Sequence, residues 1–280
     1  MNVKVTTQGG TTQSQKNGII EIFENCLKVV PASSQDLLDV VFRLRYQVYC
    51  IERGYFDPSG FPDGREQDCD DDRSEHYLLL DRAAAVPVGT VRMVLPHPDA
   101  HLPVLRLVDA AERRAVNLPS HTTAEVSRFA VSKSFRRRLD ADGQGSPGGG
   151  RIDAQLPLPL LTLGLVQAVL MMGLGSRITH LVAIMEPSLL RLLAKLGIDF
   201  QPIGGLIEYH GLRQPGWAVM ADVIRRVQQC HPALWELAVD ACRRVRGVSP
   251  VRQSESVDAA HLAVAAWVAS ESAGSAVALA

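Results

Sequence analysis

Apolar and polar positions alternate along the chain in short blocks, which predicts a series of short strands and helices. A strand is expected at residues 26–31, followed by a helix whose N-terminal cap lies in residues 33–36. The apolar positions of this helix recur every three or four residues and define one buried face: Leu37, Val40, Val41, Leu44, Val48 and Ile51. We expect the helix to end near Gly54.

The rest of the chain alternates between strand-like and helix-like segments. Loops rich in proline, aspartate or glycine are predicted at residues 55–74 and 96–121. Strands are predicted at residues 76–81, 88–95, 123–131, 178–185, 200–209 and 217–223, and helices at residues 156–174, 187–196 and 221–246. Hairpin-type strands precede a strand–helix–strand unit, so the order predicts an α/β (α+β) fold: a mixed β-sheet flanked by helices on both faces.

Composition and charge narrow the class of protein. The chain has 280 residues, of which 46% are hydrophobic and 21% charged, as in ordinary globular proteins. Its 29 Lys and Arg nearly balance its 30 Asp and Glu, so we expect no nucleic-acid partner. Five cysteines without a Cys-x-x-Cys motif argue against a disulfide framework or a structural zinc site. The polar N-terminus and the lack of a long apolar stretch predict a cytoplasmic protein without a transmembrane segment.

The sequence divides into three regions. Residues 1–18 are expected to be mobile, residues 19–249 to form one domain, and residues 250–280 to be an Ala/Ser-rich tail. Within the domain, residues 140–150 hold five glycines but no lysine, which predicts a flexible loop and excludes a Walker phosphate loop.

An acidic loop is the first candidate for chemistry. Glu66, Asp68 and Asp71 lie within six residues and repel each other unless a cation lies among them. Arg45 on the preceding helix can supply one, and Arg92 and Arg128 can supply others. Two other interpretations are a solvated acidic surface and a metal site. The loop lacks the glycine spacing of a calcium loop, and we expect no metal.

The predicted strand at residues 123–131 carries two charges among apolar positions. Glu125 and Arg128 fit either an edge strand in water or the wall of a polar pocket. Residues three apart on a regular strand face opposite sides, so both reach one pocket only if a bulge or strong twist separates them. Beyond this strand, the basic triplet Arg136, Arg137 and Arg138 fits either plain surface or a phosphate contact. Glu186 opens a predicted helix and fits a capping role.

The order of these motifs resembles a known family. It is Arg45, then Glu66-x-Asp68-x-x-Asp71, then Gly89-Thr-Val-Arg92, then Glu125-Val-Ser-Arg128. This order resembles the acyl-homoserine-lactone synthase branch of the GNAT acyltransferases. The chain resembles still more closely the N-acyl amino acid synthases and the PEP-CTERM/exosortase system-associated acyltransferases. Four segments are similar to that last group: VYCIERGYF, AEVSRFAVS, AIMEPSLLRLLAKLGIDFQPIG and EYHGLRQP.

The resemblance implies a GNAT-like fold whose mixed sheet splays open to admit an acyl thioester. It implies transfer of a fatty acyl group, expected to be long-chain, from acyl carrier protein or acyl-CoA to the amine of an amino acid or a related small acceptor, with no permanently bound cofactor. The segment after Val131 departs from the pyrophosphate loop of coenzyme A–binding relatives, which favours a carrier protein. A catalytically inactive GNAT-fold module that binds acyl thioesters is the alternative.

The resemblance also implies site residues. Glu125 is the first candidate for the general base, with Asp68 or Asp71 holding the acceptor ammonium and Arg128 or Arg92 binding an acceptor carboxylate. A backbone N–H near Phe129 or Ala130 is expected to stabilise the thioester oxyanion. The remaining predicted contacts are Arg45, Glu66 and Ser127 for substrate binding, and Arg136, Arg137 and Arg138 for donor docking.

Overall fold

The computed structural model describes residues 23–133, 158–232, 235–236 and 238–239. The sheet in this part of the chain has eight strands: β1 (Leu27–Pro31), β2 (Ser74–Asp81), β3 (Pro87–Val94), β4 (Thr123–Val131), β5 (His180–Met185), β6 (Gln201–Pro202), β7 (Ile207–Glu208) and β8 (Leu212–Val219). Its helices are α1 (Gln35–Tyr46), α2 (Pro103–Leu107), α3 (Ala110–Val116), α4 (Leu158–Gly175), α5 (Pro187–Lys195) and α6 (Met220–Cys230).

The strands form one mixed sheet in the order β1-β2-β3-β4-β5-β8-β6, with β7 paired to β8. Neighbouring strands run antiparallel except for β4 and β5, which are parallel. The connection between these two strands contains α4, as parallel neighbours require a crossover. The predicted mixed sheet is therefore confirmed.

Helices cover both faces of the sheet because successive side chains of a strand point to opposite faces. Leu78 and Leu80 of β2 pack with α1, whereas Tyr77 and Leu79 pack in the larger cluster that contains α4. Helix α4 is apolar around most of its circumference and is buried along most of its length, as expected for a central core helix.

The helix predicted to run to Gly54 changes its winding partway. It is α-helical as far as Tyr46, and residues Gln47–Glu52 form a π-helix. A π-turn contains more residues than an α-turn, so later side chains rotate away from the face that a regular repeat predicts. Val48 remains buried, but Ile51 is 53% exposed, so the prediction that Ile51 belongs to the buried face was wrong.

Three further segment predictions were wrong in detail. Residues 96–121 contain the short helices α2 and α3, because Pro103 begins α2 instead of breaking it. The strand expected at 200–209 is split into β6 and β7. The last strand, predicted at residues 217–223, is β8 and runs from Leu212 to Val219. Its first residues are mostly polar, so the apolar pattern did not indicate where it begins.

Strands β4 and β5 separate partway along their length. They pair at Thr123 with His180, at Ala124 with Leu181 and at Glu125 with Val182. Beyond these pairs β4 continues to Val131 and β5 to Met185, with no further pairing between the two. The predicted splayed sheet is thereby confirmed, and its opening begins at Glu125.

The other edge of β4 contains a β-bulge. Arg92 of β3 lies opposite Ser127, but Thr90 lies opposite Ala130, so two β4 residues face the single residue between them on β3. One of the two is Arg128, whose φ of 50° is unusual for a residue with a side chain. The bulge that the sequence required between Glu125 and Arg128 is present, and both residues line one cavity.

Candidate active site

Six charged side chains from four segments form a closed ring of alternating charge, here called the ion-pair ring. Around the ring, the members follow in the order Arg45, Glu66, Arg128, Asp68, Arg92 and Asp71. Each neighbouring pair is joined by a nitrogen–oxygen distance between 2.6 and 2.8 Å. The network that the family resemblance implies contains Arg45, Asp68, Asp71, Arg92, Glu125 and Arg128. The structure places five of these residues in the ring, with Glu66 as the sixth member and Glu125 outside it.

Burial makes the ring sensitive to any change in charge. The side chain of Arg45 is 0% exposed and that of Asp71 is 1% exposed. Burial by itself would raise the pKa of Glu66, but Arg45 and Arg128 outweigh it and hold the pKa at about 2. For Asp71, burial is likewise outweighed by Arg45 and Arg92, which keep its pKa well below the ordinary value. Glu66 and Asp71 are therefore ionised at neutral pH, and the ring contains as many carboxylates as arginines.

Glu125 lies at the opening of the sheet and outside the ion-pair ring. Its Oε2 accepts a hydrogen bond from the backbone N–H of Val104 at 2.6 Å, and its side chain lines the cavity. Burial raises the pKa of Glu125 to about 7, against the opposing effects of the Val104 amide and Arg92. A carboxyl group with a pKa near 7 can take a proton in neutral solution and release it again.

A cavity of about 620 Å³ fills the opening between β4 and β5 and extends into the core. This volume is typical of a small-molecule site. One wall follows β4 and includes Phe129, Ala130 and Val131. The other follows β5 and includes Ala183, Ile184 and Met185. The part of the cavity that α4 and α5 line is apolar: Leu158, Val166, Val169, Leu170, Leu189, Leu192 and Leu193.

The polar part of the same cavity contains the ring members Asp68, Arg92 and Arg128, together with Glu125. Ser127 also lines it and accepts a hydrogen bond from Arg92 Nε at 3.0 Å. The cavity thus has one charged end and one apolar end, which suits a ligand with a polar head and a hydrocarbon chain.

Three ring members that were predicted to contact substrate do not line the cavity. Arg45, Glu66 and Asp71 lie behind Asp68, Arg92 and Arg128, and each is at most 6% exposed as a whole residue. Their ion pairs orient the side chains that face the cavity. A positioning role therefore replaces the expected substrate contact.

The two cavity-facing arginines of the ring are already engaged by carboxylates. Arg128 donates two hydrogen bonds to Glu66 and one to Asp68. Arg92 donates to Asp68, to Asp71 and to the Ser127 hydroxyl. The expectation that either arginine binds an acceptor carboxylate in bidentate fashion is not supported by this geometry.

A second polar cluster, here called the mouth cluster, lines the same cavity at the end of β5. Glu186 Oε1 accepts a hydrogen bond from the Tyr55 hydroxyl at 2.6 Å, and Arg213 lies 3.4 Å from the same oxygen. The Tyr55 ring stacks on His210, and the Arg213 guanidinium lies over the Tyr55 ring. Arg53 also lines this end of the cavity.

Sequence reasoning missed the mouth cluster as a site. Glu186 was interpreted as a helix cap, and it does precede α5, but its side chain makes no capping hydrogen bond to that helix. Hydrogen bonding to Tyr55 is the main cause that lowers the pKa of Glu186. The sequence shows a run of polar and aromatic residues before β8. Nothing in that run indicates that it contacts the loop that contains Tyr55.

Asp70 was also missed, between the two predicted aspartates. Its Oδ1 accepts hydrogen bonds from Arg73 and from Arg106, each at 2.7 Å. Arg106 and Asp70 line the edge of the cavity near α2. The triplet Arg136, Arg137 and Arg138 lies outside the described residues, as do residues 1–18, 140–150 and 250–280.

Among the residues that the structure describes, no cluster of His, Cys, Asp and Glu is arranged to hold a metal ion. None of the helices described here is both long and apolar enough to cross a membrane.

Residues 44–142 match the family described as "Acetyltransferase (GNAT) domain". This segment contains Glu125 and all six members of the ion-pair ring. The match supports the prediction of an N-acyltransferase of the GNAT type. Comparison with curated protein sequences gives no match.

Three solved structures illustrate the similarity in fold. TofI, in a ternary complex with an inhibitor and MTA, is 18% identical with a TM-score of 0.51, over 75% of this chain and 99% of that chain. FeeM, an N-acyl amino acid synthase from uncultured soil microbes, is 17% identical with a TM-score of 0.48, over 71% and 94%. BjaI, a CoA-dependent acyl-homoserine lactone synthase with SAM and isopentyl-CoA, is 21% identical with a TM-score of 0.48, over 85% and 99%.

At these identities the likeness to solved structures concerns the fold, and the TofI comparison carries it. The splayed sheet and the domain match agree with each other, since Glu125 at the opening lies within the matched segment. The chain has a GNAT-like fold, and residues 44–142 carry its match to the GNAT acetyltransferase domain.

Proposed function

We propose that this protein transfers a fatty acyl group from the thioester of acyl carrier protein or coenzyme A to the amine of an amino acid or a related small acceptor. One observation carries the proposal: Glu125, with a pKa of about 7, lies where the sheet opens into a cavity that is charged at one end and apolar at the other. The remaining features support individual steps of the transfer.

The apolar end of the cavity suits the acyl chain. Its walls are aliphatic side chains of α4 and α5, with Phe200 and Val223 also lining the cavity. Burying a methylene group there contributes about 0.8 kcal/mol, so a long acyl chain gains much more binding energy than an acetyl group. We therefore propose a fatty acyl donor, delivered as a thioester through the opening between β4 and β5.

The reaction requires a neutral amine. An α-amino group has a pKa of about 7.7–8.0, so its deprotonation at pH 7 costs only about 1 kcal/mol. The amine nitrogen attacks the thioester carbonyl carbon and forms a C–N bond. Glu125 takes a proton from that nitrogen, directly or through a water molecule. The C–S bond then breaks, and the sulfur leaves as a thiolate that is protonated to the thiol.

Negative charge develops on the carbonyl oxygen during this attack. The bulge in β4 supports a place for it, because Arg128 and Phe129 have no paired partner residues on β3. A backbone N–H at Phe129 or Ala130 is proposed to donate to the oxyanion, since such donors are effective in a site that excludes water.

The ion-pair ring is proposed to hold Asp68 at the acceptor. Asp68 is the most exposed of the three ring carboxylates, at 30% of its side chain, and it lines the cavity. Its two oxygens are oriented by Arg92 and Arg128 at 2.6 and 2.8 Å. A substrate ammonium can bind to Asp68 before it is deprotonated, while the buried members keep the arginines in place.

Three narrower statements belong to this proposal. Preference for a carrier protein rests on the segment after Val131, which departs from a pyrophosphate loop. Association with a PEP-CTERM/exosortase system rests on the similarity of four sequence segments. A cytoplasmic location rests on the cysteine pattern.

The experiment offers acyl carrier protein and coenzyme A thioesters of several chain lengths to the full chain with a mixture of amino acids. Mass spectrometry then identifies N-acyl products, and Glu125→Gln serves as the matched variant. We expect an N-acyl product with the wild type and a strong loss with the variant. Thioester binding without any N-acyl product would contradict the proposal and favour the inactive binding module.

A further inference from the structure

The balance of charge around the cavity is uneven. In the ion-pair ring, three arginines are matched by three carboxylates. At the edge near α2, Asp70 pairs with Arg106 and with Arg73, each at 2.7 Å. The mouth cluster holds two arginines, Arg53 and Arg213, and the single carboxylate of Glu186, to which only Arg213 is within ion-pair distance, at 3.4 Å. Among the described residues, the cavity-lining arginines with a long ion pair or none are therefore those of the mouth cluster.

Arg213 is held in place by its neighbours. Its Nε donates to the Tyr209 carbonyl at 2.6 Å, and its Nη2 donates to the His210 carbonyl at 3.3 Å. The guanidinium carbon lies 5.1 Å from the centre of the Tyr55 ring. Its contact with Glu186 is long, at 3.4 Å, and its side chain is only 14% exposed. A preoriented guanidinium with a weakly held counter-ion is suited to bind a second anion.

Arg53 supplies a charge with no carboxylate partner of its own. Within the described part of the chain, no carboxylate oxygen lies within ion-pair distance of its guanidinium, although its charge helps to lower the pKa of Glu186. It follows the π-helix directly, which places it on the cavity wall two residues before Tyr55. Arg53 therefore adds positive charge to the mouth cluster, and its guanidinium is not held by an ion pair with any described carboxylate.

We propose that Arg53 and Arg213 form an anion subsite at the mouth of the cavity, for a carboxylate or phosphate of the substrate. The inference rests on the proposed acyl transfer for the identity of its ligands. It changes the expected location of an acidic group of the substrate, because Arg92 and Arg128 are already engaged by the carboxylates of the ring.

Two substrates can bring such an anion. The acceptor amino acid carries a carboxylate, and the pantetheine arm of the donor carries a phosphate at its far end. Both are recognised by the same chemistry, that is, charge-assisted hydrogen bonds from guanidinium groups. The two sources differ in which substrate carries the anion: the acceptor, which has the amine, or the donor, which has the thiol.

Binding measurements separate the sources without requiring turnover. The probes are two matched pairs: N-decanoylglycine against N-decanoylglycinamide, and 4′-phosphopantetheine against pantetheine. Each is titrated by calorimetry into wild type, Arg53→Gln, Arg213→Lys and Arg213→Gln. Arg191→Gln is the control, since Arg191 is an exposed residue of α5 that does not line the cavity.

We expect the wild type to bind the anionic member of one pair about tenfold more tightly than the neutral member. Arg53→Gln and Arg213→Gln should remove most of this preference, Arg213→Lys should retain part of it, and Arg191→Gln should leave it unchanged. A preference within the glycine pair assigns the subsite to the acceptor, and one within the pantetheine pair assigns it to the donor.

Equal binding of both members of both pairs by the wild type would overturn the proposal. A preference that survives Arg53→Gln and Arg213→Gln would also overturn it. Failure of the proposed acyl transfer is distinguishable, because a protein that makes no N-acyl product can still prefer the anionic probes. In that case the anion subsite stands and the proposed reaction does not.

Discussion

Glu125 and Val182 form the last residue pair between β4 and β5, and the two strands separate beyond them. The carboxyl group of Glu125 therefore lies at the inner end of the opening, where it is 3% exposed but still lines the cavity. The same position explains both its burial and its access to a ligand. It also makes Glu125 the residue on which the proposed reaction can be tested most directly.

Glu125→Gln should lower the rate of acyl transfer by about 10²–10⁴ at pH 7, because the amide cannot accept the amine proton. In the wild type, the rate should rise with the ionisation of Glu125 near its pKa of about 7. In the variant, the rate should recover as pH increases and the amine loses its proton unaided. The measurement is kcat against pH, with the exposed residue change Glu24→Gln as control. A loss that is equal at every pH would show that Glu125 only holds neighbouring groups in position and is not the general base.

The same substitution should change how stability depends on pH. The folded-state pKa of Glu125 is raised from 4.5 to about 7, so stability is lost as pH rises through this range. Gln does not titrate, so between about pH 4.5 and 8 the variant should gain about 3 kcal/mol relative to the wild type. Urea unfolding at several pH values measures the difference. A constant difference across this range would show that the Glu125 pKa is unperturbed.

Asp71→Asn should destabilise the protein by about 3–5 kcal/mol, because it leaves buried arginines without their counter-charge. Asp71 Oδ1 pairs with both Arg45 and Arg92 at 2.7 Å, and its side chain is 1% exposed. Chemical denaturation provides the measurement. The control is Asp222→Asn, which breaks an exposed ion pair with Arg225 and should have little effect. Similar stabilities of the two variants would show that the ring contributes no more than a surface pair.

Acid should destabilise the wild type through Glu66. Its folded-state pKa is lowered to about 2 by Arg45 and Arg128, against the effect of burial. A lowered pKa contributes stability that is present above the unfolded-state value and is lost as pH falls from about 4.5 to 2. The loss should be on the order of 3 kcal/mol, and Glu66→Gln should reduce the slope of stability against pH in this window. An unchanged slope in the variant would assign the acid sensitivity to other groups.

Val166→Phe should restrict the protein to donors with shorter acyl chains. Val166 of α4 is 5% exposed and lines the apolar part of the cavity, so a larger ring there occupies space meant for the chain. We expect kcat/KM to fall more steeply with increasing acyl length than in the wild type, while the shortest donor changes least. The short donor serves as the internal control. A uniform loss for all donors would indicate a general folding defect, and no loss would place the chain elsewhere.

Reversing two charges of the basic triplet, as in Arg136→Glu with Arg137→Glu, should raise the donor KM and flatten its dependence on salt. Acyl carrier protein and coenzyme A are anionic, and charges at the edge of an interface mainly affect association. An unchanged donor KM would show that the triplet is ordinary surface.

Much of the fold was accessible from the sequence, because local patterns carry it. The strand predicted at residues 123–131 coincides with β4, and Pro187 was correctly expected to begin a helix. The need for a bulge followed from two charges placed three residues apart on one strand. By contrast, the π-helix that turns Ile51 outward has no signature in an apolar repeat of three and four residues.

The composition of the ion-pair ring was predictable, since three carboxylates in one short loop require cations and the motif order pointed to three arginines. Which ring members face the cavity was decided by the tertiary structure, as burial of Arg45 depends on residues far away in the chain. The pKa of Glu125 was decided in the same way, because burial in the folded protein raises it and the hydrogen bond from the Val104 amide opposes that rise.

The mouth cluster marks the limit of what the sequence determines. Tyr55 and Glu186 are 131 positions apart, yet their side chains share a hydrogen bond of 2.6 Å. The sequence alone determined the first five strands, most helices and the kinds of charge near the opening, because these follow from periodicity within a few residues and from electrostatic repulsion. Only the tertiary structure decided which charges are balanced and which remain available, because that depends on contacts between segments that share no local pattern.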